Sequence, residues 1–202
     1  MALSSTTLRR AVVASAVTVG VVGGFVYTAT SQTASVTLNG AGATFPAPLY
    51  QRYFQQFSQR NPNIRVNYQA VGSGAGVRQM IAGTVDFAGS DVAMKNDEMA
   101  RVSRGVIFIP TAGGPVAVVY NLPGVNNLKL SREALPGIFS GQITRWNDPR
   151  IASANPGVNL PNQPIRLAVR ADSSGTSFIF SNHLSAINPY FRGRVTASTT
   201  PN

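Results

Sequence analysis

The sequence predicts an α/β fold with a parallel sheet, because strand-like and helix-like segments alternate along the chain and glycine-bearing turns join them. Residues 64–70 alternate apolar with polar side chains, which is typical of a half-buried strand. Residues 72–76 form a glycine-rich turn, and apolar residues at helical spacing follow it as far as Ile81. Residues 85–88 are strand-like again, so the order strand, turn, helix, strand indicates parallel neighbouring strands.

The segment before this unit has the same organisation. Residues 36–38 are strand-like and lead into a glycine-bearing turn at residues 39–45. A helix over residues 48–59 is indicated by apolar residues at helical spacing: Leu49, Tyr50, Tyr53, Phe54 and Phe57. Asn61 and Pro62 end this helix, because a residue that precedes proline disfavours the helical conformation.

Two short helices are expected in the middle of the chain. Asn96 or Asp97 is predicted to cap the first of them, which ends by Gly105. Ser131 is predicted to cap the second, because a serine hydroxyl accepts a hydrogen bond from an unpaired N–H of the first helical turn. Gly141 is its predicted C-terminal stop.

Three further segments are rich in β-branched and apolar residues and are therefore predicted to be strands: residues 106–109, 115–120 and 165–169. The Gly-Gly-Pro break at residues 113–115 is interpreted as a crossover between two lobes. A helix over residues 176–187 follows the third segment, and Asn188-Pro189 closes it.

The first 34 residues are predicted to form an export signal. Arg9 and Arg10 supply its positive end, residues 11–29 an uncharged apolar stretch, and residues 30–34 a small polar exit. A cleaved signal peptide and an uncleaved membrane anchor both fit this pattern. We therefore expect the chain in the periplasm or the cell envelope.

The composition indicates an anionic partner and argues against several kinds of site. Seventeen Lys and Arg against seven Asp and Glu give a net charge of +10. The arginines are scattered singly, which argues against a nucleic-acid partner. Zero cysteines exclude disulfides and a thiolate nucleophile, and a lone His183 argues against a histidine metal site. We expect no metal, no cofactor and no catalysis.

Three strand-to-helix turns combine glycine with serine or threonine, at residues 43–45, 72–74 and 174–176. Each turn would place unpaired backbone N–H groups and a hydroxyl at the positive end of a helix, where an oxyanion can bind. Helix caps use the same residues for structural reasons alone. Three such turns at the carboxyl ends of strands favour a ligand crevice, because that is where open α/β sheets bind ligands.

Charged residues accompany these turns. Arg170 ends a predicted strand, and its planar guanidinium could hold two oxygens of a tetrahedral anion. Asp172 could orient Arg170, or it could cap the following helix. Asp91 is either a turn or cap aspartate, or an acceptor that favours a protonated anion such as phosphate over sulfate.

The motifs themselves resemble a known family. The segments Gly-Ala-Gly-Ala-Thr-Phe-Pro-Ala-Pro (40–48), Tyr-Gln-Ala-Val-Gly-Ser-Gly (68–74), Thr-Val-Asp-Phe-Ala-Gly-Ser-Asp (84–91) and Arg-Ala-Asp-Ser-Ser-Gly-Thr-Ser-Phe (170–178) are similar in order and spacing to the phosphate-binding proteins of phosphate ABC transporters. The resemblance implies a periplasmic-binding-protein type II fold, in which two α/β lobes close around the ligand by a hinge motion. The lobes would comprise residues 35–110 and 111–202.

The resemblance also implies a phosphate site. Its members would be Thr44, Phe45 through its backbone amide, Ser73, Asp91, Arg170, Ser174, Gly175 and Thr176. Asp91 would accept the phosphate proton, and Asp172 would hold Arg170. The implied activity is capture of inorganic phosphate by a monomer outside the cytoplasmic membrane, and delivery to the membrane permease of an ABC importer.

Two other interpretations remain open at this point. Proteins of the resembled family continue well past the position of Asn202, so the second lobe is expected to be partial and the chain truncated. Such a chain could be a non-functional or regulatory fragment of the receptor. A secreted phosphatase is the less favoured alternative, because the same turns can stabilise a phosphoryl transition state but no activated nucleophile accompanies them.

Overall fold

A three-stranded parallel sheet forms the centre of the first half of the chain in the computed structural model, which describes residues 35–201. Its strands are β1 (Val36–Gly42), β2 (Ile64–Ala70) and β3 (Phe87–Gly89), in the order β2-β1-β3. Both outer strands run parallel to β1, with Val36 opposite Ile64 and Gly40 opposite Phe87. The predicted α/β fold class with parallel strands is confirmed.

Seven helices surround this sheet or follow it within the described residues. They are α1 (Ala47–Arg60), α2 (Ser73–Ala82), α3 (Asn96–Met99), α4 (Ala134–Phe139), α5 (Pro149–Ala152), α6 (Gly175–Ile187) and α7 (Pro189–Arg194). The helices expected over 48–59 and 176–187 are α1 and α6. The glycine turn at 72–76 is itself helical, so α2 begins at Ser73. The sequence patterns did not indicate α5 and α7.

The helix ends follow local capping chemistry. Ser131 caps the turn before α4 as predicted, because its Oγ accepts a hydrogen bond from the Ala134 N–H at 3.0 Å. Gly141 follows that helix with φ +76°, a left-handed conformation that glycine adopts without strain. The prediction that Asn96 or Asp97 caps a helix is wrong, because α3 already begins at Asn96. The residue at the cap position is Lys95, whose N–H donates to the Glu98 carboxylate at 2.8 Å.

An aromatic cluster connects α1 to the sheet. The rings of Tyr50 and Phe54 on the helix lie close to those of Tyr68 on β2 and Phe87 on β3, with centroid distances of 5.1 Å for Tyr50–Tyr68 and 5.6 Å for Phe54–Phe87. The Tyr68 hydroxyl donates to the Ala43 carbonyl at 2.8 Å, and burial raises the pKa of Tyr68 above its usual range. This tyrosine therefore stays protonated and ties β2 to the turn after β1.

A glycine lets α2 lie directly on β1. A Cβ on Gly76 would come within 2.6 Å of the Gly42 Cα and 2.9 Å of the Ala41 carbonyl oxygen. Both contacts are with backbone atoms, which cannot turn away as a flexible side chain can. The start of α2 is therefore held close to the carboxyl end of β1.

A second core lies between the later helices. Ala134, Ile138, Ile143 and Ile151 are buried together, and Leu128 is one of the half-buried residues that pack against them. The core holds α4 and α5, while α7 packs on α6 and contacts α4. These helices lie in the range predicted for the second lobe, and both that lobe and its boundary between residues 110 and 111 stay predictions.

The strands predicted at residues 106–109, 115–120 and 165–169 are wrong. Residues 106–120 make no backbone–backbone hydrogen bond within the described chain, and the third segment begins beside a single antiparallel bridge, Arg145–Pro164. Ile107 and Val119 are 81% and 88% exposed. The segments have the composition of strands, but a strand needs a neighbour to pair with. Residues 35–201 supply none for 106–120, and in 165–169 pairing stops at Ile165, whose N–H donates to the Thr144 carbonyl at 2.7 Å.

No helix within residues 35–201 is long and apolar enough to cross a membrane. The export signal predicted for residues 1–34 lies outside the described residues.

We expect Gly76→Ala to destabilise the fold by about 1–3 kcal/mol, because the added methyl group forces α2 away from the β1 backbone. Gly193→Ala is the matched control, since a Cβ at that position on α7 meets nothing within 4 Å. It should be neutral, or stabilising by up to about 1 kcal/mol. Urea unfolding of both variants measures the difference, and equal stability would contradict the close packing.

Candidate functional site

The starts of two helices from distant parts of the chain meet at one point. Ser73, the first residue of α2, is 3% exposed and lies against Gly175, the first residue of α6. A Cβ on Gly175 would come within 2.5 Å of the Ser73 Oγ and 2.9 Å of the Asp91 Cβ. Glycine is therefore the residue that permits this approach, which brings the N-terminal ends of α2 and α6 together.

Asp91 lies two residues beyond β3 and bridges the two helix starts. Its N–H donates to the Ser73 Oγ at 3.3 Å, and its Oδ2 accepts from the Thr176 hydroxyl at 2.9 Å. The carboxylate is half-buried. Residues that are 85 positions apart in the chain are thus joined by a direct hydrogen bond.

The first glycine turn borders this contact. The Ala43 N–H donates to the Gly89 carbonyl at 2.8 Å, which holds the turn beside the end of β3. Phe45 is 49% exposed and lines a cleft of about 420 Å³ together with Asp91 and Thr176. Thr44 lies at the start of α1, where its carbonyl accepts from a helical N–H at 3.3 Å, and it is not among the cleft-lining residues of the described part.

Arg170 and Asp172 form a bidentate ion pair close to the start of α2, where Asp172 lies against Gly72. Arg170 Nε donates to Asp172 Oδ1 at 2.6 Å, and a second bond joins Nη2 to Oδ2. Asp172 raises the pKa of Arg170 above its ordinary value, and the charge of Asp91 acts in the same direction. The hydrogen bonds from Arg170 lower the pKa of Asp172. Of the two roles considered for Asp172, orienting Arg170 is the one that the geometry supports.

Ser174 performs the capping role instead. It is 2% exposed, and its Oγ accepts from the Ser177 N–H at 3.2 Å, which satisfies one unpaired donor of α6. Its own N–H donates to the Thr199 carbonyl at 3.0 Å. The Ser174 hydroxyl therefore stabilises the start of α6 as its N-cap.

Sequence reasoning missed several residues that hold the site together. The Gly74 N–H donates to the Ser173 carbonyl at 3.0 Å, and the Ser173 hydroxyl lies 2.8 Å from that of Thr199. A Cβ on Gly72 would come within 2.5 Å of Asp172 Oδ2. No spacing rule links these residues, although the glycines of the 72–74 turn indicated a close backbone approach.

The arrangement can hold a small oxyanion. Helix N–H groups and the Ser73 hydroxyl supply donors, Arg170 supplies a positive charge, and an ionised Asp91 carboxylate accepts hydrogen bonds. Within residues 35–201, no group of three His, Cys, Asp or Glu side chains could hold a metal ion. The individual ligand roles of the predicted site residues stay predictions.

An open parallel sheet with helix starts converging at the carboxyl ends of its strands defines the class of α/β binding proteins. The chain belongs to the PBP superfamily, because the model of the PBP superfamily domain matches residues 28–201.

Curated relatives are similar to this chain. It is 43% identical over 165 residues to the phosphate-binding protein PstS of Pasteurella multocida, covering 81% of this chain and 47% of that protein. It is 44% identical over 161 residues to PstS of Haemophilus influenzae, covering 79% of this chain and 47% of that protein. The chain thus spans about half the length of the curated relatives it matches.

A solved structure shows the same fold. It is a phosphate ABC transporter substrate-binding protein with bound phosphate from Clostridium perfringens, matched with a TM-score of 0.50 at 17% identity. The match covers 73% of this chain and 56% of that one. The periplasmic-binding-protein fold expected from the resemblance is confirmed for the part that the chain spans.

Acid is expected to weaken the Arg170–Asp172 pair. Because Arg170 lowers the pKa of Asp172 in the folded chain, the pair contributes stability above the unfolded carboxyl pKa of about 3.9. That contribution is lost as the pH falls through the lowered folded value. Each side chain is more than a third exposed, so the effect should lie within about 0.2–1 kcal/mol.

Asp172→Asn should therefore reduce the unfolding free energy at pH 7. At a pH well below the pKa of Asp172, where the wild-type carboxyl group is already protonated, the substitution should have a smaller effect on the unfolding free energy. Asp97→Asn on α3 is the control, because Asp97 is exposed and takes no part in the ion pairs of the described chain. Urea unfolding at both pH values provides the measurement. A loss for Asp172→Asn that does not depend on pH would contradict the ion pair.

Proposed function

We propose that this chain binds inorganic phosphate outside the cytoplasmic membrane and delivers it to the permease of an ABC phosphate importer. The observation that carries the proposal is the contact of Ser73 and Asp91 with Gly175 and Thr176 at two helix starts. Family membership and the phosphate-binding relatives support it. We infer in addition a monomeric receptor of the periplasm or cell envelope that acts without nucleic acid, cofactor or catalysis.

The helix starts supply the donors for the anion. α2 has 10 residues and α6 has 13, so each has a positive dipole end. The Gly74 N–H is bonded to the Ser173 carbonyl and the Ser177 N–H to the Ser174 Oγ, so the other N–H groups of the two first turns are the ones that can donate to the anion. The Ser73 hydroxyl adds a side-chain donor beside them, because its Oγ accepts from the Asp91 N–H and keeps its own hydrogen. Phosphate oxygens are thereby satisfied by neutral groups as well as by Arg170, whose guanidinium Asp172 keeps oriented.

Asp91 supplies the selectivity. An ionised carboxylate accepts hydrogen bonds and cannot donate one, so it stabilises an anion that still carries a proton. Sulfate carries no proton at neutral pH, so its negatively charged oxygens would be repelled by the carboxylate. The Thr176 hydroxyl orients Asp91 Oδ2 at 2.9 Å, and the carboxylate keeps lone pairs for a phosphate O–H.

Phosphate should raise the melting temperature of the full chain, because a ligand that binds only the folded state stabilises it. At a phosphate concentration of about 100 times the Kd, the free energy of unfolding should rise by about 2.7 kcal/mol. Sulfate at the same concentration should have a much smaller effect. A thermal melt that phosphate leaves unchanged would contradict the proposal.

Asp91→Asn should narrow the difference between phosphate and sulfate, because an amide can donate to sulfate as well as accept from phosphate. Titration calorimetry with both anions measures the ratio of the two affinities. Asp97→Asn serves as the control for the loss of one carboxylate elsewhere. Unchanged selectivity in Asp91→Asn would remove the proton-acceptor role.

A fragment without receptor activity is the second candidate, and the exposed apolar segments at 106–120 favour it. Ile107, Ile109 and Val119 are 81%, 70% and 88% exposed, although soluble monomers seldom present contiguous apolar surface. This candidate predicts no stabilisation by phosphate, together with strong binding of a hydrophobic dye. A phosphatase would instead hydrolyse a chromogenic phosphate ester, which the receptor binds or ignores without turnover.

A further inference from the structure

A second cleft is lined by Ser73 and shares Ser90 with the cleft that Phe45 and Asp91 line. It has a volume of about 890 Å³, and its rim carries the cationic side chains of Arg78 on α2 and of Lys95 and Arg101 beside α3. All three residues are exposed. We call this cleft the basic groove.

The charge of the basic groove is not neutralised within the described chain. The ion pairs of residues 35–201 are Arg150–Asp148 and Arg170–Asp172, and neither includes a groove residue. Glu98 is the acidic residue of the groove lining, and its carboxylate is occupied by the Lys95 N–H at 2.8 Å. Three positive charges therefore face one negative charge.

Part of the lining of the basic groove, which we call its floor, consists of apolar side chains between polar ones such as Ser73 and Thr199. Ile81, Val92 and Phe178 line it and are only half-buried, so they present hydrophobic surface to a ligand. An apolar floor under a charged rim matches a molecule that combines anionic groups with an apolar side chain. A phosphate ion would fill a small part of such a volume and would leave the floor uncovered.

We infer that the basic groove binds a short acidic peptide segment of a partner protein, with an apolar side chain of that segment seated on the floor. A membrane surface fits less well, because the groove is concave and a flat bilayer would reach only the rim. Single-stranded nucleic acid fits less well also, since it binds on exposed aromatic platforms and Phe178 is the one aromatic residue in the lining.

The test uses the full chain and a fluorescein-labelled peptide of sequence Glu-Asp-Phe-Asp-Glu, with binding followed by fluorescence anisotropy. Binding should be saturable and should weaken as salt rises, because exposed charges are screened. Replacing the phenylalanine of the peptide by alanine, or its acidic residues by lysine, should each reduce affinity. Addition of phosphate should leave peptide binding in place, which separates the groove from the phosphate site.

The variant Arg78→Glu with Arg101→Glu should lower peptide affinity by at least about tenfold. Arg52→Glu with Arg194→Glu is the charge-matched control, because both residues are exposed and lie outside the groove. Its affinity should fall much less. If the first variant fails to fold, as judged by circular dichroism, the neutral pair Arg78→Gln with Arg101→Gln decides, with a smaller loss expected.

Several results would overturn the inference. An equal loss of peptide affinity in the groove variant and its control would show that the peptide responds to the net charge of the protein and not to the groove. Absence of saturable peptide binding would remove the site. Tighter binding to anionic phosphatidylglycerol vesicles or to an oligothymidylate than to the peptide, lost in the same groove variant, would assign the groove to a membrane or to nucleic acid instead.

Discussion

The approach of Gly175 to Ser73 and Asp91 is the contact on which the candidate site depends. It brings the N-terminus of α6 to the N-terminus of α2, and it leaves no room for a side chain at position 175. The Thr176–Asp91 hydrogen bond is formed across the same approach. Without it, the donors of the two helices would face separate regions of solvent.

The locally encoded part of the fold could be predicted from the sequence. The alternation in residues 64–70, the helical spacing in 48–59 and the Ser131 cap depend on near neighbours, and the structure has β2, α1 and that cap in these places. Residues 106–120 have equally strand-like composition and form no strand, because pairing depends on partners that composition does not report.

The site shows the same division between local and distant information. Glycine, serine and threonine at strand ends indicated donors at helix starts, but the Asp91–Thr176 bond joins residues 85 positions apart. No periodicity reports such a contact, and resemblance to a family supplied the grouping. The capping role of Ser174 and the support from Thr199 became visible only from distances between atoms.

The Tyr68 hydroxyl connects strand β2 to the turn that borders the candidate site. It donates to the Ala43 carbonyl, one residue before Thr44, while its ring lies among Tyr50, Phe54 and Phe87. If the proposed phosphate site is correct, a screen for impaired binding would also recover substitutions in this aromatic layer. Such variants would keep every side chain proposed to contact phosphate and would change only the support of the first turn.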